Sequence, residues 1–295
     1  MRSWDWTTWR YARCMMKRRC DMGAVTPRTY LFVPGNRSER FEKAWASAAD
    51  AVVLDLEDAV AIEDKSSARS AVCEFLARLP QAVRGRAVVR INDTAGDWSA
   101  LDLRALLQCG VTHLMVPKAE SPAQIASVLR ALPDAKILAL IESARGVAEV
   151  NAIAAAPGVS RLVFGTLDFA LDLDLDTDSD PEGLNYAASR IAVASRVAGL
   201  AAPVAGVTPQ LDDEARLLAD LAQARRFGFG AKLCIHPKQI VPIHRALQPS
   251  AAAVDWAHRV LEAEAASPGA AKLDGQMVDR PVVLQAERIL MRSAH

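Results

Sequence analysis

Eight short apolar segments recur along residues 28–237, and each is followed by a stretch with helical periodicity. The segments are TYLFVPG, AVVLDLED, RAVVRIN, HLMVPKA, KILALIE, RLVFGT, APVAGV and AKLCIHP. Nearly continuous apolar runs rich in Val, Ile and Leu are typical of parallel strands that are covered on both faces. Eight strand–helix repeats therefore predict an α/β fold of the (β/α)₈ type, the TIM barrel.

An open, doubly wound sheet is the main alternative to the barrel. It is disfavoured because no Gly-rich dinucleotide fingerprint follows the first strand. Two helix starts are also predicted from local signals. Ser38 is a plausible N-cap for SERFEKAWASAA, and Ser121 is followed by proline at the first helical position.

The chain continues beyond what a barrel needs. IVPIHRALQ, AAAVDWAHRVLEAEAAS and PVVLQAERILMRSA are predicted helices, and the polar break SPGAAKLDGQ precedes the last of them. We expect a barrel at residues 27–247 and a C-terminal helical extension, acting as a lid, at residues 248–295. The extension is expected to fold across a barrel mouth, either its own or that of a neighbouring subunit.

Residues 1–26 differ in character from the rest of the chain. They hold three tryptophans and many arginines without a regular period, and they lack the apolar centre of a secretory signal. A transit peptide is one interpretation. We expect instead a disordered extension, or a start codon placed too early with Met22 as the natural start.

Composition excludes several classes of function. The net charge is +0 and aromatic residues make up 5% of the chain, which argues against nucleic-acid binding. No apolar run is long enough to span a membrane. The five cysteines form no CxxC pair and indicate reduced thiols in a cytoplasmic protein. The histidines form no zinc-binding pattern.

Polar and ionisable residues collect where the predicted strands end. In chain order they are Asn36 and Arg37, Asp55, Glu57 and Asp58, Arg90 and Asn92, Lys118, Glu142, Asp168, and Lys232, His236 and Lys238. The carboxyl ends of the strands meet at one mouth of a barrel, and that mouth is where the active sites of such barrels lie. The convergence of acids and bases there predicts a catalytic site.

Two acids follow consecutive strands, Glu142 after KILALI and Asp168 after RLVFGTL. Buried carboxylates are costly to desolvate alone, and a pair of them forms a hard oxygen site for Mg²⁺ or Mn²⁺. Each acid has a structural alternative, because each could cap the helix that follows it.

The segment LDLED has a related ambiguity. Asp55 and Glu57 should point to one face of the strand, with Leu54 and Leu56 on the other. Either acid could orient Arg90, or one could hold a water near the metal. Asp55 and Asp58 could equally cap the next helix. Lysines near strand ends, Lys118 and Lys232, leave a Schiff-base aldolase as a minor alternative.

The ordered motifs resemble one known family. RTYLFVPGNRSERFEKA, AVVLDLEDAVAIEDKSSAR, VVRIN, VPKAE, LALIESARGV, LVFGTLDFALDL and CIHPKQI are similar, in this order, to the citrate lyase β-subunit-like branch of the HpcH/HpaI aldolase superfamily. The resemblance implies a TIM barrel that requires Mg²⁺. It also implies cleavage or formation of a C–C bond between a 2-oxo acid and an acyl thioester.

The resemblance assigns roles to residues at the matching positions. It implies that Glu142 and Asp168 are the metal ligands and that Glu57 is an acid near the metal. It implies that Arg90 holds the substrate carboxylate, and a bidentate grip is expected. The backbone at Gly165, Thr166, Leu167 and Asp168 would help to hold the 2-oxo acid.

The same resemblance places the CoA arm along Arg37 and the segment with Lys232, His236 and Pro237. In the tail, GQMVDRP supplies Asp279, which would close on the site of a neighbouring subunit and transfer a proton. Two positions depart from the family pattern: Leu167 stands where a polar residue is common, and Asp174 stands where glycine is frequent.

The expected function is a Mg²⁺-dependent carbon–carbon lyase for a 3-hydroxyacyl-CoA such as malyl-CoA or citramalyl-CoA. The alternatives are a citrate lyase β subunit with α and γ partners and a carrier-protein thioester, a CoA-free 4-hydroxy-2-oxo acid aldolase, a thioesterase, and a non-catalytic CoA- or metabolite-binding protein. The family also suggests a homo-oligomer, a trimer or possibly a hexamer.

Overall fold

The computed structural model of the chain describes residues 26–177, 181–267 and 271–293. Residues Pro27–Leu247 form one compact unit, and the described residues from Gln248 onward belong to a second. In the first unit, eight parallel strands pair in chain order, and the first strand pairs with the eighth. The predicted (β/α)₈ barrel is therefore confirmed.

The strands are short and the helices vary in length. The strands are β1 (Thr29–Pro34), β2 (Ala51–Asp55), β3 (Ala87–Arg90), β4 (His113–Val116), β5 (Lys136–Ile141), β6 (Val159–Phe164), β7 (Val204–Ala205) and β8 (Ala231–Cys234). The helices of this unit are α1 (Phe41–Trp45), α2 (Lys65–Arg78), α3 (Asp97–Cys109), α4 (Pro122–Ala131), α5 (Ala144–Ala148), α6 (Val150–Ala154), α7 (Thr166–Asp172), α8 (Asn185–Val197), α9 (Glu214–Arg226) and α10 (Ile240–Leu247).

Alternation along the strands divides the core into two buried clusters. Val53 and Val88 belong to the cluster inside the ring of strands, whereas Leu54 and Leu56 pack in the larger cluster that includes the helices. Because successive side chains point to opposite faces, Asp55 and Arg90, two residues beyond the inward valines, also point inward. The strand ends thus carry ionisable groups into the barrel mouth.

Local signals predicted one of the two helix starts. Ser121 caps α4 through a capping box with Gln124, and Pro122 is its first residue, as predicted. The prediction for Ser38 was wrong, since this residue begins a short 3₁₀ turn that has no side-chain cap. The following helix starts only at Phe41 and ends at Trp45.

The second unit contains α11 (Ala251–Ala266), a hairpin of β9 (Lys272–Leu273) and β10 (Gln276–Met277), and α12 (Arg280–Ser293). The two helices share a small apolar core that includes Ala257, Val260, Val283, Ala286 and Ile289. The segment read from sequence as a polar break is partly this hairpin. Its turn residues, Asp274 and Gly275, both have positive φ, as the Asp-Gly signal of a two-residue turn requires.

Two further expectations concern the chain as a whole. Within the ranges that the structure describes, no helix has the length and apolar character needed to cross a bilayer. The predicted N-terminal extension, apart from Thr26, lies outside the described residues.

Candidate active site

A buried ion-pair network occupies the carboxyl ends of β2 and β3. Arg90 donates from Nε to Asp55 Oδ1 at 2.7 Å and from Nη2 to Asp55 Oδ2 at 2.8 Å. Its Nη1 lies 2.9 Å from Glu57 Oε2 and 3.2 Å from Asp58 Oδ2. Asp55 and Glu57 therefore lie on one side of the chain, as the LDLED pattern predicted.

The electrostatics of Arg90 follow from these contacts. Burial opposes its charged form, but the hydrogen bonds and the charge of Asp55, with Glu57 next, outweigh that cost and raise the pKa of Arg90. The bidentate face of the guanidinium is turned to Asp55, not to open space. One N–H of Nη2 is left over after these bonds, so Arg90 can still donate to a ligand in the mouth.

The turn after β2 is held by a residue that sequence reasoning missed. Lys65, in the first turn of α2, donates from Nζ to the carbonyls of Leu56 and Glu57, both at 2.7 Å. Glu57 also donates its backbone N–H to Asp55 Oδ1 at 2.9 Å. The signal was a lysine shortly after an acid-rich strand end. Asp55 therefore accepts hydrogen bonds within this turn and does not cap α2, which Asp64 precedes.

Lys118, after β4, connects the acids of two other strands. Its backbone N–H donates to Glu142 Oε1 at 2.7 Å, and its Nζ donates to Glu57 Oε1 at 3.1 Å. The φ angle of Lys118 is 45°, a left-handed conformation that is uncommon for residues other than glycine. This backbone conformation is strained, and it directs the N–H of Lys118 toward the carboxylate of Glu142.

Glu142 is buried against the end of the next strand. A Cβ on Gly165 would lie 2.6 Å from Glu142 Oε2, so glycine is needed for this approach. Burial, and then the nearby charge of Glu57, raise the pKa of Glu142 to about 8. Burial likewise raises the pKa of Glu57 to about 7, although Arg90 opposes the shift.

The helix-capping alternatives for the two predicted metal ligands are not what the structure shows. Ser143, not Glu142, caps α5 by accepting from the N–H of Gly146. Gly165 is the residue before α7, and Asp168 lies inside its first turn, half-buried. Both carboxylates are thus available to a ligand.

Charge compensation differs sharply between the two sets of acids. Asp55, Glu57 and Asp58 are paired with cationic side chains. Among the described residues, neither Glu142 nor Asp168 has an ion-pair partner, although Asp168 is close enough to raise the pKa of Glu142.

This donor set fits a divalent cation of the Mg²⁺ type. A cation would offset two unneutralised carboxylates, and Mg²⁺ in proteins is held by one or two carboxylates together with water and substrate oxygens. The described part of the chain contains no cluster of three or more His, Cys, Asp or Glu suited to a metal.

The segment after β6 borders the two acids. Gly165 and Thr166 are half-buried, and Leu167 is half-exposed at the rim. A Cβ on Gly206, after β7, would lie 2.3 Å from Thr166 Oγ1, so these two strand ends are closely packed. The backbone of this segment therefore has a defined position beside Asp168.

Three of the predicted CoA-binding residues lie on adjacent strand ends. Arg37 follows β1, and His236 and Pro237 follow β8, its neighbour in the barrel. Arg37 is half-exposed and donates to Glu39 at 2.8 Å. His236 accepts at Nδ1 from the N–H of Lys238 at 3.1 Å and so caps a 3₁₀ turn.

The expected position of Lys232 beside these residues was wrong. It is the second residue of β8, and its side chain is only 2% exposed. Ala231 and Leu233 point into the barrel, so Lys232 points outward, away from the barrel interior.

Asp279 lies in the second unit and is exposed there. Its Oδ1 accepts from the N–H of Val282 at 3.2 Å, at the start of α12. This is the arrangement of an N-cap, which gives Asp279 a structural role that the resemblance did not suggest.

Comparison with known proteins identifies relatives over almost the whole chain. The sequence profile of the HpcH/HpaI aldolase/citrate lyase family matches residues 28–237. A citrate lyase subunit beta-like protein of Mycobacterium tuberculosis is 38% identical over 269 residues, covering 90% of this chain and 94% of the relative. A (3S)-malyl-CoA thioesterase of Cereibacter sphaeroides is 32% identical over 270 residues, with the same two coverages.

A solved structure matches the fold as well as the sequence. Protein CitE from Mycobacterium tuberculosis, in complex with magnesium, acetoacetate and coenzyme A, superposes with a TM-score of 0.81 at 36% identity. The match covers 91% of this chain and 98% of that one.

The Arg90 network generates a prediction about stability. Asp55→Asn should lower the free energy of unfolding by about 3–5 kcal/mol, because it leaves a buried guanidinium without its bidentate partner. Asp58, whose side chain is 55% exposed, is the matched control. Asp58→Asn should cost less than about 1 kcal/mol. Urea unfolding followed by circular dichroism measures both, and equal losses would contradict the dominance of Asp55.

Proposed function

Since the chain belongs to the HpcH/HpaI aldolase/citrate lyase family, we propose that it is a Mg²⁺-dependent carbon–carbon lyase. The proposed substrate is a 3-hydroxyacyl-CoA such as malyl-CoA or citramalyl-CoA, which is cleaved to acetyl-CoA and a 2-oxo acid or formed from them. The observation that carries the proposal is the pair of unneutralised carboxylates, Glu142 and Asp168, beside the ordered cations Arg90 and Lys118.

Glu142 and Asp168 are the proposed metal ligands. When bound there, Mg²⁺ would act as a Lewis acid toward the oxygens of the 2-oxo or 2-hydroxy acid. The CitE relative holds magnesium together with acetoacetate and coenzyme A, which supports this choice of ion and substrate class. Lys118 keeps Glu142 in place through its backbone N–H.

Arg90 is the proposed carboxylate-binding residue. Its orientation is set by Asp55, and the remaining N–H of Nη2 is free to donate to the substrate. Asp58 is the more exposed of its acidic partners, and its departure would release Nη1 for a second bond. The backbone of Gly165, Thr166, Leu167 and Asp168 would complete the pocket for the 2-oxo acid.

Two acids are proposed for proton transfer. Glu57 lies between Arg90 and Lys118, and its pKa of about 7 allows it to hold or release a proton near neutral pH. Asp279 would exclude water and exchange a proton when the tail closes on a site, which in a homo-oligomer would be that of a neighbouring subunit.

The CoA arm is proposed to lie along the adjacent ends of β1 and β8. Arg37 is half-exposed and offers a cation for the phosphates, while His236 and Pro237 form the neighbouring edge.

Thioester hydrolysis is a second candidate function. It is favoured by the (3S)-malyl-CoA thioesterase of Cereibacter sphaeroides, which is 32% identical to this chain. Hydrolysis of malyl-CoA would release malate and free CoA thiol, whereas the lyase would release glyoxylate and acetyl-CoA. The two reactions are therefore distinguished by their products.

A substrate panel tests the proposed function. Purified protein with Mg²⁺ is given malyl-CoA, citramalyl-CoA, citryl-CoA and free 4-hydroxy-2-oxo acids, and the released 2-oxo acid is trapped with phenylhydrazine. We expect release of a 2-oxo acid from one thioester, its loss with EDTA, and at least about a hundredfold lower turnover for Glu142→Gln. The exposed Glu63→Gln is the matched control and should retain activity.

The other outcomes of this panel are also informative. Thiol release without a 2-oxo acid would establish the thioesterase instead. Turnover of only the free hydroxy-oxo acids would identify a CoA-free aldolase. Silence on every substrate, with Mg²⁺ binding intact, would overturn the proposed CoA-thioester substrate in favour of a carrier-protein substrate or a binding role.

Mg²⁺ affinity should depend on pH because a ligand must lose its proton. The pKa of Glu142 is about 8 without metal, so protons compete with Mg²⁺ below that value. Affinity measured by calorimetry should rise by up to about tenfold per pH unit between pH 6 and pH 8, then level off. Affinity that is flat across this range would contradict a metal ligand at Glu142 that must first lose a proton.

The proposed proton-transfer role of Asp279 can be tested separately from its role as a helix cap. Asn caps helices as well as Asp does, so Asp279→Asn should leave the melting temperature unchanged. Turnover should nevertheless fall by about 10²–10⁴-fold, because the carboxyl group is lost. Full turnover of this variant would show that Asp279 caps the helix and takes no part in proton transfer. Co-expression with Glu142→Gln subunits should restore part of the activity if Asp279 serves a neighbour's site.

A further inference from the structure

A cavity of about 570 Å³ lies outside the ring of strands. Its walls come from the outward faces of β6, β7 and β8, from helices α8 and α9, and from the segments that follow β6 and β7. Much of the lining is apolar, including Phe164, Ala188, Ala205, Phe227 and Phe229. Its volume and lining are those of a site for a small molecule.

One buried cation, Lys232, faces this cavity. Its side chain points outward from β8, is 2% exposed, and donates from Nζ to the carbonyl of Gly206 at 2.8 Å. Within the described ranges this carbonyl is its one hydrogen-bond acceptor, and no carboxylate lies within ion-pair distance. An ammonium has three N–H donors, so two are left without a protein acceptor.

The nearest acid does not supply the missing partner. Asp220 also lines the cavity, but its Oδ2 accepts from Thr208 Oγ1 at 2.6 Å and its Oδ1 accepts from Arg216 Nε at 2.8 Å. Burial lowers the pKa of Lys232 to about 8, and the charge of Asp220 only partly opposes this shift. The lysine is thus a buried cation that lacks an anion.

We propose that this cavity binds a monocarboxylic acid with an apolar body, whose carboxylate pairs with the ammonium of Lys232. Lys232 is the buried cation of this lining and matches one negative charge, whereas Arg216 pairs with Asp220 and the exposed Arg226 donates to Gln223. The aromatic and alanine side chains would cover the apolar body. Glu57, Arg90, Glu142 and Asp168 do not line the cavity, although Thr166 and Leu167, which border the proposed oxo-acid pocket, lie at its edge. The acid would therefore be held by Lys232 and not by the charged residues of the proposed lyase site.

The test uses octanoate as the probe and octanamide as its uncharged counterpart, titrated into the full-length protein by calorimetry. Octanoate should bind at one site per chain and at least about tenfold more tightly than octanamide, because only octanoate forms the charged hydrogen bond. Its affinity should decrease as the pH rises above about 8, where Lys232 loses its proton.

Three variants locate the site. Lys232→Met keeps the length of the side chain and should remove the preference for octanoate over octanamide. Ala188→Phe should fill the cavity and prevent binding of both probes, which keeps the test decisive if Lys232→Met does not fold. Lys136→Met, an exposed lysine on another strand, should bind as the wild type does.

Two results would overturn the proposal. One is wild-type protein that binds neither probe. The other is octanoate binding that survives unchanged in both Lys232→Met and Ala188→Phe, since the acid would then be held elsewhere, for example in the barrel mouth. In that second case, Glu142→Gln would alter the binding, which the cavity site does not predict.

Discussion

The bidentate ion pair between Arg90 and Asp55 is the interaction on which the site depends. It joins the ends of two neighbouring strands below the barrel mouth and is almost fully buried, so removing either partner is costly. Glu57 and Asp58 extend the pair, and Lys118 then links Glu57 to the end of the next strand. The cations of the mouth are thereby held in place before any ligand arrives.

The same network explains why Glu142 and Asp168 remain available to bind a ligand. The cations at the mouth are engaged by the acids after β2, while Glu142 and Asp168 have no ion-pair partner among the described residues. The protein pays for this with a raised pKa at Glu142, where burial is the largest cause. Two carboxyl groups without ion-pair partners beside an ordered guanidinium are suited to a divalent cation and a carboxylate ligand together.

Several features were predictable from particular residues. The eight apolar runs predicted the barrel because parallel strands must be apolar on both faces. The alternation in LDLED correctly placed Asp55 and Glu57 on one side of the chain. The structure also gives a reason why glycine is frequent in the family at the position of Asp174. Its φ is 54°, a conformation that glycine adopts most easily. Ser38 was wrongly predicted as a helix cap, since it begins a 3₁₀ turn, and the Asp274-Gly275 signal of the hairpin was not used.

The sequence by itself determined the barrel and which ionisable residues stand at its mouth, since strand periodicity and strand ends are local properties. Only the tertiary structure decided which acid pairs with Arg90, because the candidates compete at separations such as the 35 residues between Arg90 and Asp55. It also decided that Lys232 faces away from the barrel interior. A side chain changes face with every residue along a strand, so an error of one position in the strand reverses the assignment.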